Sequence, residues 1–152
     1  MGVAMFYHLT RRPLEAVLPT LLEKSLAQGW RVCVRGGNAV RLDQLDQALW
    51  TYSDDSFLPH GRAGGPHDAL QPVLLADGPD LPPRTACLMS VDGANVSLDE
   101  VNSLERVCIL FDGNDNGALE KARSQWRDLT RAGASAQYWS EESGQWQKKA
   151  ES

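Results

Sequence analysis

Residues 106–133 have the sequence RVCILFDGNDNGALEKARSQWRDLTRAG, in which an apolar run, a polar turn and a helical pattern follow one another. The apolar run Arg106–Phe111 predicts a buried strand. Asp, Asn and Gly dominate residues 112–117, and these residue types favour turns. Ala118–Ala132 predicts the strongest helix of the chain, ended by Gly133. This order of strand, turn and helix is typical of an α/β protein with parallel strands.

The same alternation recurs on the N-terminal side of this unit. Four further strands are predicted at Met5–Leu9, Arg31–Arg35, Val73–Ala76 and Ala86–Val91. Between them, helical spacing of leucines predicts helices over residues 14–26 and around residues 42–49, and Ser97 with Glu100 fits a capping box. Strands that alternate with helices indicate a doubly wound, mostly parallel sheet flanked by helices.

The sequence makes three further predictions about particular segments. Pro19 lies inside the first helical pattern, where it removes a backbone donor, so a kink or a late helix start is expected. Residues 53–72 are rich in glycine and proline and are predicted to be irregular. Ala136–Trp139 and Trp146–Lys148 predict a terminal hairpin across Ser143-Gly144, with residues 140–152 partly mobile.

Length and charge limit the class of protein. The chain has 152 residues, which predicts a single domain over residues 1–152. Its net charge is −5 and its isoelectric point about 5.1, whereas a protein that binds duplex DNA with its whole surface is usually basic. No apolar run approaches the ~20 residues that span a bilayer. The first 15 residues do not resemble a signal peptide. Cys33, Cys87 and Cys108 each lie within an apolar run, which predicts buried free thiols, and an odd number of cysteines suits a reducing cytoplasm.

Doubly wound sheets often bind nucleotides through a glycine-rich phosphate-binding loop. Neither GxGxxG nor GxxxxGK[ST] occurs in the chain, and Thr-Arg-Arg-Pro follows the first strand where a glycine-rich turn would be needed. Because both motifs are absent, a nucleotide-binding enzyme on this sheet is only the alternative function. No cofactor is expected. No GxSxG motif occurs, and the histidines lack metal spacing, so the chain is not expected to be an enzyme.

Residues 112–117 imitate the first half of a calcium-binding EF-hand loop. Oxygen-bearing side chains stand at positions one, three and five, and glycine stands at position six. Position twelve must be a bidentate glutamate, but here it is Arg123. No metal site is therefore expected, and the segment is better explained as a turn in which Asn116 caps the next helix.

The predicted helix 118–132 carries three arginines on one stripe. Arg123, Arg127 and Arg131 are spaced four residues apart, and Trp126 lies three residues from the first of them. In an acidic protein this stripe is a local positive patch. It is either a solvated helix face or a binding site for an acidic partner that carries an aromatic ring, with arginines for the carboxylates and an apolar floor for the ring.

A second candidate surface begins at Trp50, where a predicted helix ends. A polar loop follows and leads to Phe57, Leu58 and Pro59. Two large aromatic side chains that flank a loop can simply cover the edge of the sheet. They can equally form an apolar patch on which another protein docks, because Trp and Phe are frequent interface anchors.

Five segments of the chain resemble one known family. They are Phe6-Tyr7-His8-Leu9, Arg41-Leu42-Asp43 with Leu49-Trp50, Ser56-Phe57-Leu58-Pro59-His60, Gln71-Pro72-Val73-Leu74-Leu75, and Ala122-Arg123 with Trp126-Arg127 and Ala132-Gly133. Together, in order over residues 5–149, they resemble the chi subunit of bacterial DNA polymerase III holoenzyme. The Leu-Trp and Ser-Phe-Leu-Pro-His block is the most specific of them.

The resemblance implies a Rossmann-like fold without a phosphate-binding loop, in a cytoplasmic, non-catalytic accessory subunit of the clamp loader. Such subunits act in DNA replication and contact DNA only indirectly. They link the DNA-directed DNA polymerase, a nucleotidyltransferase complex, to single-stranded-DNA-binding protein by holding its acidic C-terminal tail, which ends in Pro-Phe. A separate face docks a psi subunit or a helicase.

The resemblance also assigns residues to these two faces. Arg123, Trp126 and Arg127 occupy the positions that hold the tail, and Phe111 would supply its apolar floor. Trp50 and Phe57, with the adjoining Leu58 and Pro59, occupy the positions that dock psi or the helicase. Trp126 and Arg127 stand where members of the family can carry Tyr and Lys, which retains an aromatic ring and a cation.

Overall fold

The computed structural model describes residues 2–10, 12–37, 39–51, 60–62, 72–77, 81, 84–141 and 146–151. The strands are β1 (Val3–Leu9), β2 (Arg31–Arg35), β3 (Gly61–Arg62), β4 (Val73–Ala76), β5 (Thr85–Ser90), β6 (Arg106–Asp112), β7 (Ala136–Ser140) and β8 (Gln147–Glu151). The helices are α1 (Leu14–Ala27), α2 (Ala39–Thr51), α3 (Leu98–Ser103) and α4 (Asn116–Arg131).

These strands form one sheet in the order β3-β4-β2-β5-β6-β1-β7-β8. Every neighbouring pair is parallel except β7 with β8, which pair antiparallel. The predicted doubly wound, mostly parallel sheet is therefore confirmed. The predicted terminal hairpin is confirmed as well, although its turn at Ser143-Gly144 lies outside the described residues, and the mobility of residues 140–152 stays a prediction.

Two apolar clusters cover the two faces of the sheet. One cluster buries α1 and α2 against residues such as Tyr7 and Cys108, and the other buries α3 and α4 against residues such as Phe6. Alternate residues of a strand point to opposite faces, which is why neighbours in β1 belong to different clusters. All three cysteines are buried free thiols, as their apolar neighbours predicted. Burial raises the pKa of the Cys33 thiol to about 11.

Helix α1 corrects one prediction. It begins at Leu14, directly after Pro13, and continues through Pro19 to Ala27, so a late start is wrong. The carbonyl of Pro13 accepts hydrogen bonds from the N–H groups of Ala16 and Val17, which closes the first turn. Pro19 is itself buried with the apolar side of the helix, and this packing offsets the hydrogen bond that its ring removes.

The N-termini of α3 and α4 are both capped by side chains. The Ser97 side chain accepts the Glu100 N–H and the Glu100 carboxylate accepts the Ser97 N–H, which confirms the predicted capping box. The predicted cap at Asn116 is wrong. Asp115 is the N-cap of α4, because its backbone is extended and its carboxylate accepts the Ala118 N–H, whereas Asn116 is already helical.

A short strand was not predicted. Gly61–Arg62 forms β3, parallel to β4, within a stretch whose glycines and prolines predicted irregular structure. Two residues are too few to show an alternating apolar pattern, so their pairing depends on the neighbouring strand rather than on local sequence. In the described part of the chain, none of the helices is both long and apolar enough to cross a membrane.

Candidate functional site

Helix α4 lies over a surface of the sheet that carries several aromatic side chains. Phe6 of β1 pairs with Ile109 on one side and with Tyr138 on the other. Two residues further along β1, His8 pairs with Phe111. Because paired residues of neighbouring strands point to the same face, these rings all lie on the α4 side of the sheet.

Trp126 joins α4 to this aromatic surface. Its indole meets Phe6 edge-on, with ring centroids 5.3 Å apart and planes at 72°. It also meets Tyr138 at 6.1 Å and 83°, so the two rings form a right-angled corner. Phe111 is buried below them and lies 6.0 Å from Tyr138. Such edge-to-face contacts stabilise aromatic clusters beyond the area they bury, by about 0.5–1.5 kcal/mol for each pair.

Two exposed arginines flank the tryptophan. Arg123 precedes it by one helical turn and Arg127 follows it directly. The carboxylates of Asp115, Asp112 and Glu100 bind groups other than these arginines. Within the described part of the chain, no hydrogen bond or ion pair involves the guanidinium groups of Arg123, Arg127 or Arg131. The guanidinium groups beside Trp126 are therefore available to a ligand.

The structure thus brings together the four residues that the family resemblance assigns to a tail site. Trp126 and Phe111 belong to one apolar cluster, and Arg123 and Arg127 border it on the solvent side. We call this set, with the rings of Phe6, His8 and Tyr138 beneath it, the α4 site. What the arrangement offers chemically is an apolar floor for a ring and cations for carboxylates.

Three rings of the α4 site were missed at the sequence level as binding-site residues. Phe6, His8 and Tyr138 appear in the sequence only as alternate positions of two strands. The alternation shows that positions 6 and 8 share one face, which could have been used. That β7 lies beside β1 could not be read from local sequence, because the two strands are joined only by their pairing in the sheet.

The second candidate surface is the C-terminal end of α2. Trp50 is 49% exposed, and its indole lies 4.5 Å from the ring of His60, centroid to centroid. The His60 side chain is buried, with Nε2 3.0 Å from an Asp46 carboxylate oxygen. We call these three residues the Trp50 surface. Phe57, Leu58 and Pro59, predicted to adjoin Trp50, lie outside the described residues.

An open crevice lies at the carboxyl ends of β1 and β6, from which α1 and α4 leave on opposite faces of the sheet. Such a switch point is where doubly wound sheets bind nucleotides, and the crevice has a volume of about 780 Å³. However, its arginines are occupied. Arg12 pairs with Glu141, and Arg41 pairs with Glu15 and Asp92. The two arginines that line the crevice are therefore not available to the phosphates of a nucleotide.

Metal chemistry finds no support in the described residues either. They contain no group of three or more His, Cys, Asp or Glu side chains that could hold a metal ion. The turn that imitates an EF-hand uses its first two carboxylates locally. Asp112 accepts the Asn114 N–H, and Asp115 caps α4.

Comparison with known proteins identifies the family. The family model described as DNA polymerase III chi subunit, HolC, matches residues 1–137. The chain belongs to this family. A relative named "Probable DNA polymerase III subunit chi" from Rickettsia prowazekii (strain Madrid E) is 23% identical over 115 residues, which cover 72% of this chain and 70% of that protein. The resemblance inferred from the five sequence segments is therefore confirmed.

Proposed function

We propose that this chi-family protein is a non-catalytic accessory subunit of DNA polymerase III that acts in DNA replication in the cytoplasm. It links the clamp loader, or a helicase partner, to single-stranded-DNA-binding protein by binding that protein's acidic C-terminal tail. The α4 site supports this proposal most strongly, because two exposed arginines without ion pairs in the described chain border a half-buried tryptophan over an aromatic floor.

The α4 site suits a peptide that ends in phenylalanine. The phenyl ring would pack in the corner between Trp126 and Tyr138, since aromatic rings prefer such edge-to-face arrangements. Arg123 would pair with the terminal carboxylate, and a guanidinium can do so with two parallel hydrogen bonds. Arg127, and Arg131 at longer range, would attract the acidic residues upstream of the ring.

Charge supports a peptide rather than DNA as the direct ligand. The protein has a net charge of −5, so its surface as a whole repels a phosphate backbone. The arginines of α4 form a local exception to this charge. A short acidic segment can use such a local patch, whereas duplex DNA needs phosphate contacts over a longer surface. Contact with DNA is therefore indirect in this proposal.

The Trp50 surface supports a second interaction, with a psi-like clamp-loader subunit or a helicase. A half-exposed indole over a buried imidazole is a rigid apolar anchor, and Trp is the residue type most enriched in binding hot spots. The two surfaces involve different helices, α4 and α2, which lie against opposite faces of the sheet. One molecule could therefore hold both partners together.

The isolated chain is proposed to have no polymerase, nuclease or ATPase activity. The reasons are the missing phosphate loop and, in the described residues, the missing metal cluster. We expect no turnover above background in assays of highly purified protein with primed DNA or nucleoside triphosphates. Turnover that copurifies with the chain through several columns and is lost with it would contradict this part of the proposal.

A thermal-shift assay separates the proposed function from the nucleotide-binding alternative. A ligand that binds only the folded state stabilises it by about 2.7 kcal/mol at a hundredfold excess over its dissociation constant. We expect an acidic peptide ending in Pro-Phe to raise the melting temperature, and nucleotides to leave it unchanged. The matched control is the same peptide with a C-terminal amide, which removes the charge that Arg123 would bind. A shift with nucleotides and none with the peptide would overturn the proposal.

A further inference from the structure

His8 lies between two other aromatic residues of the α4 site. Its imidazole stacks on Phe111, with ring centroids 5.2 Å apart and planes at 14°. Its Nδ1 lies 3.1 Å from the phenol oxygen of Tyr138, within hydrogen-bonding distance. The two hydrogen-bonded residues are 130 positions apart in the sequence, so this bond ties β1 to β7 through side chains as well as through the sheet.

The loop from β6 to α4 closes over the same imidazole. A Cβ atom at Gly113 would overlap Cδ2 and Nε2 of His8, so only glycine allows the loop to pass at this distance. The Gly113 N–H donates to the Leu9 carbonyl at 2.7 Å, which anchors the loop to the end of β1. The imidazole is therefore held by Phe111 on one side, by Gly113 on another and by Tyr138 at Nδ1.

Tyr138 needs such a restraint because it is only partly buried. Its ring meets the indole of Trp126 at 83°, and this right angle defines the corner of the α4 site. A half-buried tyrosine side chain can rotate toward solvent unless its hydroxyl group is held. The hydrogen bond to His8 restricts this rotation, because the imidazole is itself fixed by its neighbours.

We propose that His8 is a positioning residue of the α4 site, which holds Tyr138 perpendicular to Trp126 and so fixes the two ring surfaces against which the aromatic end of a peptide packs. This role rests on the proposed function, in which the corner receives a terminal phenyl ring. His8 acts through Tyr138 and touches no ligand. A site whose walls are fixed before binding loses less conformational entropy when the ligand arrives, and this raises affinity.

The hydrogen bond can be removed from either end. Tyr138→Phe keeps the ring and removes the hydroxyl, and His8→Leu removes the imidazole nitrogen that bonds to it. Each should weaken binding of an acidic Pro-Phe peptide about threefold to tenfold, as expected for one neutral hydrogen bond. The double variant should be no weaker than either single one, because residues that act through one bond are not additive. His8→Asn offers a polar atom near the Nδ1 position and should restore part of the affinity.

Tyr7→Phe is the matched control. Tyr7 is the neighbour of His8 in β1 but points to the opposite face, where its hydroxyl contacts the sulfur of Met5. This variant loses a phenol oxygen, as Tyr138→Phe does, but should bind the peptide as the wild type does. Denaturant unfolding of every variant establishes that each is folded at the assay temperature. The indole N–H resonance of Trp126 provides a second readout and should shift in Tyr138→Phe but not in Tyr7→Phe.

The outcomes separate this inference from the proposed function. Unchanged peptide affinity in Tyr138→Phe and His8→Leu, with a large loss in Arg123→Ala, would overturn the role of His8 and leave the proposed function intact. Additive losses in the double variant would also overturn it, because the two residues would then act separately. If the wild type itself does not bind the peptide, the proposed function fails and the role of His8 fails with it.

Discussion

Trp126 and Trp50 each form the centre of a candidate binding surface, yet their surroundings differ. Trp126 is half-buried among Phe6 and Tyr138 and is flanked by two exposed arginines. Trp50 is 49% exposed and lies over His60, whose Nε2 is 3.0 Å from an Asp46 carboxylate oxygen. The surface around Trp126 thus combines an apolar area for an aromatic ring with neighbouring positive charges, whereas the Trp50 surface presents an apolar indole.

This difference indicates two kinds of partner. Exposed arginines attract carboxylates over several ångströms, and that attraction depends on salt and on the number of charges. An exposed indole gains its binding energy from burial against another surface, and that gain depends little on salt. The two surfaces should therefore respond differently to mutation and to ionic strength, and this independence can be tested.

The largest effect is expected for Arg123→Ala. It should weaken binding of the acidic Pro-Phe peptide by about 2 kcal/mol or more, because a charge-assisted hydrogen bond is lost and the terminal carboxylate remains poorly solvated. Calorimetric titration measures the change. Lys24→Ala is the matched control, since it removes one exposed positive charge from α1 on the opposite face of the sheet. Comparable losses in both variants would mean that net charge, not a specific site, controls binding.

Trp50→Ala should have the next largest effect, and only on the other surface. It should cost more than about 1 kcal/mol of binding to the docking partner if the indole is an interface anchor. Binding of the tail peptide should stay within about 0.3 kcal/mol of wild type, since distant and independent sites do not couple. Pull-down of the clamp-loader or helicase partner, followed by titration, measures both. Retained partner binding would show that Trp50 is not an anchor.

Ionic strength should distinguish the surfaces with a smaller effect. Between 0.1 M and 1 M salt the Debye length falls from about 10 Å to about 3 Å, so attraction between exposed charges is screened. The tail peptide should bind severalfold more weakly at the higher concentration. Docking at the Trp50 surface should change little or become slightly stronger. Equal salt dependence of the two interactions would contradict the division into a charged and an apolar surface.

Most of the fold could be predicted because strands and helices carry strong local signals. Arg31–Arg35 and Val73–Ala76 are short apolar runs, and the structure confirms both as strands. The capping box at Ser97 is equally local, since both of its hydrogen bonds join residues three positions apart. Such features depend on neighbouring residues only, and a single sequence contains them.

The parts that could not be predicted depend on contacts between distant residues. β3 forms because β4 lies beside it and pairs with it. Helix α1 continues through Pro19 because that residue is buried with the apolar side of the helix. In the α4 site, Arg123 and Trp126 were found because they lie close together on one helix. Tyr138 was not found, since only the pairing of β7 with β1 brings it beneath Trp126.

The most direct test of the central claim compares Arg123→Ala with Arg131→Ala in titrations of the acidic Pro-Phe peptide at two salt concentrations. Arg131 lies two turns beyond Arg123, in the last turn of α4, and should contribute only a few tenths of a kcal/mol, mainly through the association rate. The account predicts a large loss for Arg123→Ala at both salt concentrations and a small loss for Arg131→Ala that disappears at the higher one. Equal losses would mean a diffuse basic patch instead of a binding site, and an unchanged affinity in Arg123→Ala would place the site elsewhere.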